Sequence, residues 1–145
     1  MKKREKAMTE GREMIAQLEI STRSRTELVD ITAEVQQAVR ENGLQSGVCH
    51  VFVPHTTAGL TLNENWDPSV RADMLMTLDK IVPWHDNYRH GEGNSAAHVK
   101  ASLMGFSQTI LVEDGRLVLG AWQGIYLAEF DGPRRRRVLV KLVRD

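Results

Sequence analysis

Apolar residues recur along the chain with two spacings, and the changes between them mark the elements. Met14 to Ser21 has the apolar content of a strand. Ile31, Val35, Ala38 and Val39 recur at helical spacing, which predicts a helix over 31–42 that stops at Gly43. Val48 to Val53 is a continuous apolar strand closed by Pro54. Gly59 to Asn63 is the next strand, with Leu60 and Leu62 alternating with Thr61 and Asn63. Asp67-Pro68 sets a capping acid before a proline at the first helical position. Val70, Met74, Leu78 and Ile81 predict a buried stripe on that helix, and Pro83 ends it. Asn94 or Ser95 caps a further helix to about Met104, with Gly105 at its end. Strands follow at 108–112, 116–119, 121–130 and 137–143, with Asp114-Gly115 as a hairpin turn and Gly132-Pro133 turning the last pair.

The predicted order is β-α-β-β-α-α-β-β-β-β. Strands cluster and helices do not alternate with them. This pattern predicts an α+β fold with largely antiparallel sheets and about three helices, rather than a doubly wound parallel sheet. A chain of 145 residues predicts one domain over 1–145, in which the polar first 12 form a loose arm or a short helix ahead of 13–145.

Composition narrows the function classes. Hydrophobic residues make up 41%, enough for a core. Zero formal net charge argues against a strongly basic nucleic-acid binder. The single cysteine, Cys49, excludes an internal disulfide, and its apolar surroundings predict a small core residue in a reducing compartment. No apolar stretch reaches the roughly 18 residues of a membrane span. Lys2, Lys3 and Arg4 are not followed by the apolar segment of a secretory signal. The expectation is a cytoplasmic protein with neither nucleic-acid nor membrane partners.

Polar residues with chemical capability collect in a few places. The stretch HTTAGLTLNENWDP opens on His55, Thr56 and Thr57 and closes on Asn63, Glu64, Asn65 and Asp67. Imidazole can bind a divalent metal or move a proton near neutral pH. The threonine hydroxyls can donate to an anion. Glu64 can act as base or acid or simply accept hydrogen bonds. Asp67 is explained by its capping position. HGEGNSAAH carries His90, Glu92, Asn94 and His98 at a helix start, where free N–H groups and the helix dipole suit an anion; Ser102 lies one turn beyond His98 on the same face. By itself this segment reads more simply as a glycine-rich surface loop, with His98 as a helix histidine bonded to a carbonyl. Taken together, His55, His90 and His98 with water match the three-imidazole arrangement of a catalytic zinc. His50 reads as a self-satisfied strand residue, and His85 as a loop residue. In GAWQGIY, the glycines suggest a bulge or a close approach; Trp122 shares a face with Tyr126 and Phe130 as an aromatic core stripe, while Gln123 is left open. Arg134 to Arg137 read as a solvated start of a strand, a subunit contact or a phosphate patch.

PHTTAGLTLNEN, DPSVRADM, YRHGEGNSAAHVKASLMG and GRLVLGAWQGIYLAEFDGPRRRR, in this order, closely resemble the YjbQ-like family, also called secondary thiamine-phosphate synthases. The resemblance runs from about residue 15 to the C-terminus. It implies a two-sheet sandwich packed with helices and assembled as a homotrimer. It also implies an activity that joins a pyrimidine diphosphate to a thiazole phosphate and releases pyrophosphate. His55, His90 and His98 match the motif histidines expected to hold a divalent metal, zinc or magnesium, or a phosphate. Glu64 and Glu92 are the expected catalytic carboxylates; Thr56, Thr57, Asn63, Asn94, Ser102 and Gln123 are the expected ligand-binding groups. Ala121 stands where the family usually reads the threonine of Gly-Thr-Trp-Gln, which removes one possible hydrogen bond. Two other readings stay open: a metal-dependent hydrolase of a small phosphorylated metabolite, and a non-catalytic trimer that binds such a ligand or a metal.

Overall fold

The structure is a computed structural model that describes the backbone of residues 2–8 and 14–145, with side chains from residue 15 onward. Its elements are β1 (Lys2–Met8), β2 (Met14–Ser21), β3 (Glu27–Asp30), α1 (Thr32–Glu41), β4 (Gly47–Phe52), β5 (Ala58–Glu64), α2 (Pro68–Ile81), α3 (Ser95–Met104), β6 (Ser107–Glu113), β7 (Arg116–Leu117), β8 (Gln123–Glu129) and β9 (Arg135–Arg144). Among the described residues, three helices and two antiparallel sheets make this the α+β fold that the pattern predicts. One sheet has the order β1-β2-β9-β4-β6-β7 and the other β3-β8-β5.

Two strands were not legible. Residues 2–8, read as part of a loose arm or a short helix, instead form β1, paired antiparallel with β2 from Lys2↔Ile20 to Met8↔Met14. The other residues of that stretch lie outside the described residues. A charged sequence suits an edge strand, whose ladder with one neighbour needs no apolar alternation. β3 has only 4 residues and buries only Leu28, so no period marks it.

The larger sheet alternates cleanly. In β9, Arg136, Val138, Val140 and Leu142 point inward, and Cys49 and Val51 of β4 join them. The apolar ones among these side chains, with Ile31, Val35, Ala38 and Val39 beside and within α1, form one core against Leu60, Ile125 and Leu127 of the smaller sheet. Burial pushes the Cys49 thiol up to about 12, as expected of an inert core cysteine. A second core lies on the other face of the smaller sheet, where Tyr126, Ala128 and Phe130 meet Ala97 and Ala101 of α3 and Leu78 of α2. β8 is therefore covered on both faces, which explains its unbroken apolar run.

Two predicted core positions are corrected. Ile81 is 64% exposed and Trp122 is 57% exposed. α2 lies on the surface with Leu78 as its buried residue, so its stripe is narrower than the spacing suggested. Trp122 precedes β8, in a turn where the Gly120 N–H donates to Gln123 Oε1 at 2.8 Å. Strand parity does not extend through that turn. His50, read as a buried-strand residue, is exposed on the outer face of β4, with Nδ1 3.0 Å from Thr109 Oγ1. Asp67 is the predicted cap: it accepts from the Ser69 N–H at 2.9 Å, and that bond holds its carboxyl below the usual range. Among the described residues, no helix is long and apolar enough to cross a membrane.

Candidate functional site

His55 owes its position to the end of a strand. β4 pairs with β9 as far as Phe52↔Leu139, and Pro54 then interrupts the ladder. β9 extends further, to Arg135, so its edge beyond Leu139 loses the strand partner. The imidazole fills that gap: the Arg137 N–H donates to His55 Nε2 at 2.9 Å. A ring that accepts at Nε2 is neutral and carries its proton at Nδ1. Partial burial pushes the ring below its ordinary value of 6.5, and the guanidinium groups of Arg136, Arg137 and Arg134 push the same way, against the Glu129 carboxylate. Nδ1–H has no partner among the described residues. His55 is thus a neutral donor in a positive field.

Next to it, Thr56 is exposed and Thr57 is buried. Arg136 Nη2 donates to Thr57 Oγ1 at 2.8 Å and to its carbonyl at 3.3 Å. Arg136 is itself paired with the buried Glu129. The connection between β8 and β9 then reaches the start of α3. Asn94 Nδ2 donates to Asp131 Oδ2 at 2.8 Å, and Arg134 Nη2 donates to the same oxygen at 2.9 Å. Asn94 Oδ1 is buried without a partner among the described residues. Residues 129–137 therefore hold both the 55–57 loop and the N-terminus of α3.

His90 and His98 lie together, with ring centroids 5.5 Å apart at 85°. His90 Nε2 is 3.7 Å from Glu92 Oε1, beyond hydrogen-bond length. Ser102 is exposed one turn after His98. Among the described residues, no group of three His, Cys, Asp or Glu side chains is disposed to hold a metal ion. The predicted three-histidine metal site is therefore not formed within one chain. His55 would also be a poor ligand, because its Nε2 lone pair is committed to the Arg137 N–H.

Glu64, Asn63 and Gln123 sit elsewhere. In the β5–β8 ladder, Ala58 pairs with Glu129 and Glu64 pairs with Gln123. The two ends of the 7-residue β5 are therefore roughly 20 Å apart at ~3.3 Å per residue. Within a chain, these groups do not share a cleft wall with His55. The side-chain oxygens of Asn63 and Gln123 accept from nearby backbone N–H groups. Asn63 Oδ1 accepts from the Glu64 N–H at 2.7 Å, and the Tyr126 hydroxyl donates to the Glu64 carbonyl at 3.0 Å. The close approach predicted at the GAWQGIY glycines occurs at Gly124, where an added Cβ would lie 2.6 Å from Asn65 Nδ2. Beside Asn65, Trp66 and Trp122 pack edge to face at 5.8 Å.

The buried Glu129–Arg136 pair is the feature sequence reading missed. Its signal was present in the alternation: Glu129 shares a face with Ile125 and Leu127, and Arg136 with Val138 and Val140. One acid and one base thus occupy core positions at facing strand ends.

The comparisons with known proteins agree with this architecture. The family described as "UPF0047 protein YjbQ-like" matches residues 16–145. UPF0047 protein YugU of Bacillus subtilis is 52% identical over 131 residues, covering 90% of this chain and 99% of that protein. The UPF0047 protein of Methanocaldococcus jannaschii is 51% identical over 132 residues, covering 91% and 96%. A crystal structure of a yjbq/upf0047 family protein from Clostridium acetobutylicum superposes with a TM-score of 0.86 at 54% identity, covering 88% of this chain and 98% of the other. A YbjQ-like protein of Sulfolobus solfataricus superposes with a TM-score of 0.87 at 31% identity, over 100% of both chains. The chain belongs to the UPF0047 YjbQ-like family.

Proposed function

We propose that this protein binds the phosphate or diphosphate group of a small metabolite at the His55 end of β5. The observation that carries this reading is the Arg137 N–H on His55 Nε2, which leaves Nδ1–H as a donor amid arginines. A positive field and fixed donors suit an oxyanion and disfavour a divalent cation. The reaction we assign to it is the one the family resemblance suggests. A thiazole nitrogen attacks the pyrimidine methylene, the C–N bond forms, the C–O bond breaks, and pyrophosphate leaves with the electron pair. Departure of pyrophosphate calls for donors around its oxygens more than for a general base. Thr56 and the His55 Nδ1–H are the donors we assign to it. In this reading Glu64, Asn63 and Gln123 contribute to the same ligand only from a neighbouring protomer.

Two further features enter the proposal. The chain assembles as a homotrimer through the outer face of the larger sheet, where Phe52 and Leu111 are 45% and 60% exposed beside the partly buried Leu139 and Val143. Sedimentation should show the trimer at micromolar concentration; a stable monomer overturns it. A second ligand reading rests on the His90–His98 pair, which could supply two imidazoles to a zinc completed from another protomer. Magnesium fits less well, since it prefers carboxylates and water.

The test uses sulfate, whose charge is constant near neutral pH, and inorganic phosphate, each titrated calorimetrically. His55→Ala should weaken sulfate binding roughly 10- to 100-fold, the range for one hydrogen bond to a charged group. Affinity should hold from pH 7.5 to 8.5, because a ring whose pKa lies below 6.5 stays neutral there and already carries the Nδ1 proton. Unchanged affinity in His55→Ala overturns the anion site. Zinc retained by wild type and lost from both His90→Ala and His98→Ala would favour the metal reading. Pyrophosphate release from the two thiamine precursors tests the reaction.

A further inference from the structure

Glu129 and Arg136 are 0% and 3% exposed and meet across the turn between β8 and β9. The carboxylate is fully engaged. Its Oε1 accepts from Thr22 Oγ1 and from Arg136 Nε, both at 2.8 Å. Its Oε2 accepts from the Asp131 N–H at 3.0 Å and from Arg136 Nη2. The same Nη2 reaches Thr57 Oγ1 at 2.8 Å. Packing there is tight: a Cβ on Gly132 would lie 2.2 Å from the Ser24 carbonyl oxygen and 2.9 Å from Glu129 Cγ.

A buried ion pair contributes little stability beyond what apolar side chains of similar volume would, but a guanidinium fork admits few geometries. Fixing the Arg136 side chain fixes the peptide that follows it. That peptide carries the Arg137 N–H, the group that His55 Nε2 accepts from.

We infer that the Glu129–Arg136 pair positions the anion site: it sets the Arg137 N–H that selects the Nδ1–H form of His55, and it holds Thr57 beside that ring. The purpose of the device rests on the anion-binding reading above, whereas the selection of the tautomer rests on the hydrogen bonds alone. Neither member of the pair touches the ligand, so both are positioning residues. Thr22 belongs to the same device. Its hydroxyl donates to Glu129 and accepts from the Arg134 N–H at 2.9 Å, which ties the end of β2 to the turn.

The test is 15N NMR of the His55 ring in the full chain at pH 7.5, alongside sulfate titration. Wild type should show Nδ1 protonated and Nε2 unprotonated. A wild-type ring with its proton on Nε2, or on both nitrogens, overturns the inference whatever the variants do. Arg136→Lys keeps the charge but loses the fork. It should give a mixture of tautomers and weaken sulfate binding about tenfold, the effect of misdirecting one charged hydrogen bond. Glu129→Gln should act in the same direction, and serves if Arg136→Lys does not fold. A variant that folds and keeps the wild-type tautomer overturns the inference, even if its sulfate affinity falls. A shifted tautomer in a protein whose wild type binds no sulfate supports the positioning role and overturns the anion reading instead.

Discussion

Arg136→Met should destabilise the fold by about 3–5 kcal/mol, the usual consequence of removing one partner from a buried ion pair. The residue left behind decides this magnitude. Glu129 would stay buried with its carboxylate bonded by Thr22 and Asp131 but without its cation. Thr57 Oγ1 would also lose its donor. Urea unfolding followed by circular dichroism measures the effect, and an unchanged m-value shows that the denatured state is not responsible. The double variant Arg136→Met/Glu129→Leu should recover part of the loss, because apolar side chains of similar volume remove the orphaned charge while Thr57 and the Asp131 N–H still lack their partners. A loss below about 1 kcal/mol in the single variant would mean that water reaches the carboxylate, contrary to the packing described.

The second large effect is expected at Gly59. This residue lies in β5 opposite Ala128 and beneath the C-terminal turn of α3. A Cβ there would lie 2.5 Å from the Gly105 carbonyl oxygen, 3.1 Å from Met104 Cβ and 3.2 Å from the Ala101 carbonyl oxygen. Two of these three atoms are backbone, so no side-chain rotation relieves the contact, and α3 itself must move. Gly59→Ala should cost about 3 kcal/mol, the upper part of the range for overpacking a core. It should also disturb the Leu60 N–H bond to the Gly105 carbonyl, which holds β5 to the end of α3 at 3.0 Å. Because α3 carries His98 and begins at Asn94, the shift should appear in the ring resonances of His98 as well as in stability. Gly91→Ala is the control: nothing lies within 4 Å of the added carbon, and thermal unfolding should be nearly unchanged. Equal effects at the two positions would show that the contact beneath α3 is not tight.

Much of the fold was legible because local physics specifies it. The helical spacing of Ile31, Val35, Ala38 and Val39 marks α1, and the Asp67-Pro68 pair marks the start of α2. The Asp114-Gly115 turn adopts positive φ at both residues, 53° and 75°, as its hairpin signal requires. One consequence was also legible: a strand over 59–63 separates its own ends. His55 and Glu64 could not share a wall within one chain once that strand was assigned. The buried pair was visible in the same sense, as an acid and a base at inward strand positions.

By itself, the sequence determined the three helices and most of the strands, the antiparallel character and the α+β class, because periodicity, caps and turn residues act over a few neighbours. It also brought Thr56 and Thr57 beside His55, and His98 one turn before Ser102, since spacing alone does that. Only the tertiary structure decided which polar groups meet. Thr22, Thr57, Glu129 and Arg136 are separated by up to more than a hundred positions, and no local rule links them. Only the structure decided the state of His55 as well: a lone imidazole can accept at either nitrogen, and the end of β4 leaves one N–H of β9 for it to take. Hydrogen bonds between distant strands depend on register, and register is set by the whole sheet rather than by any stretch of chain.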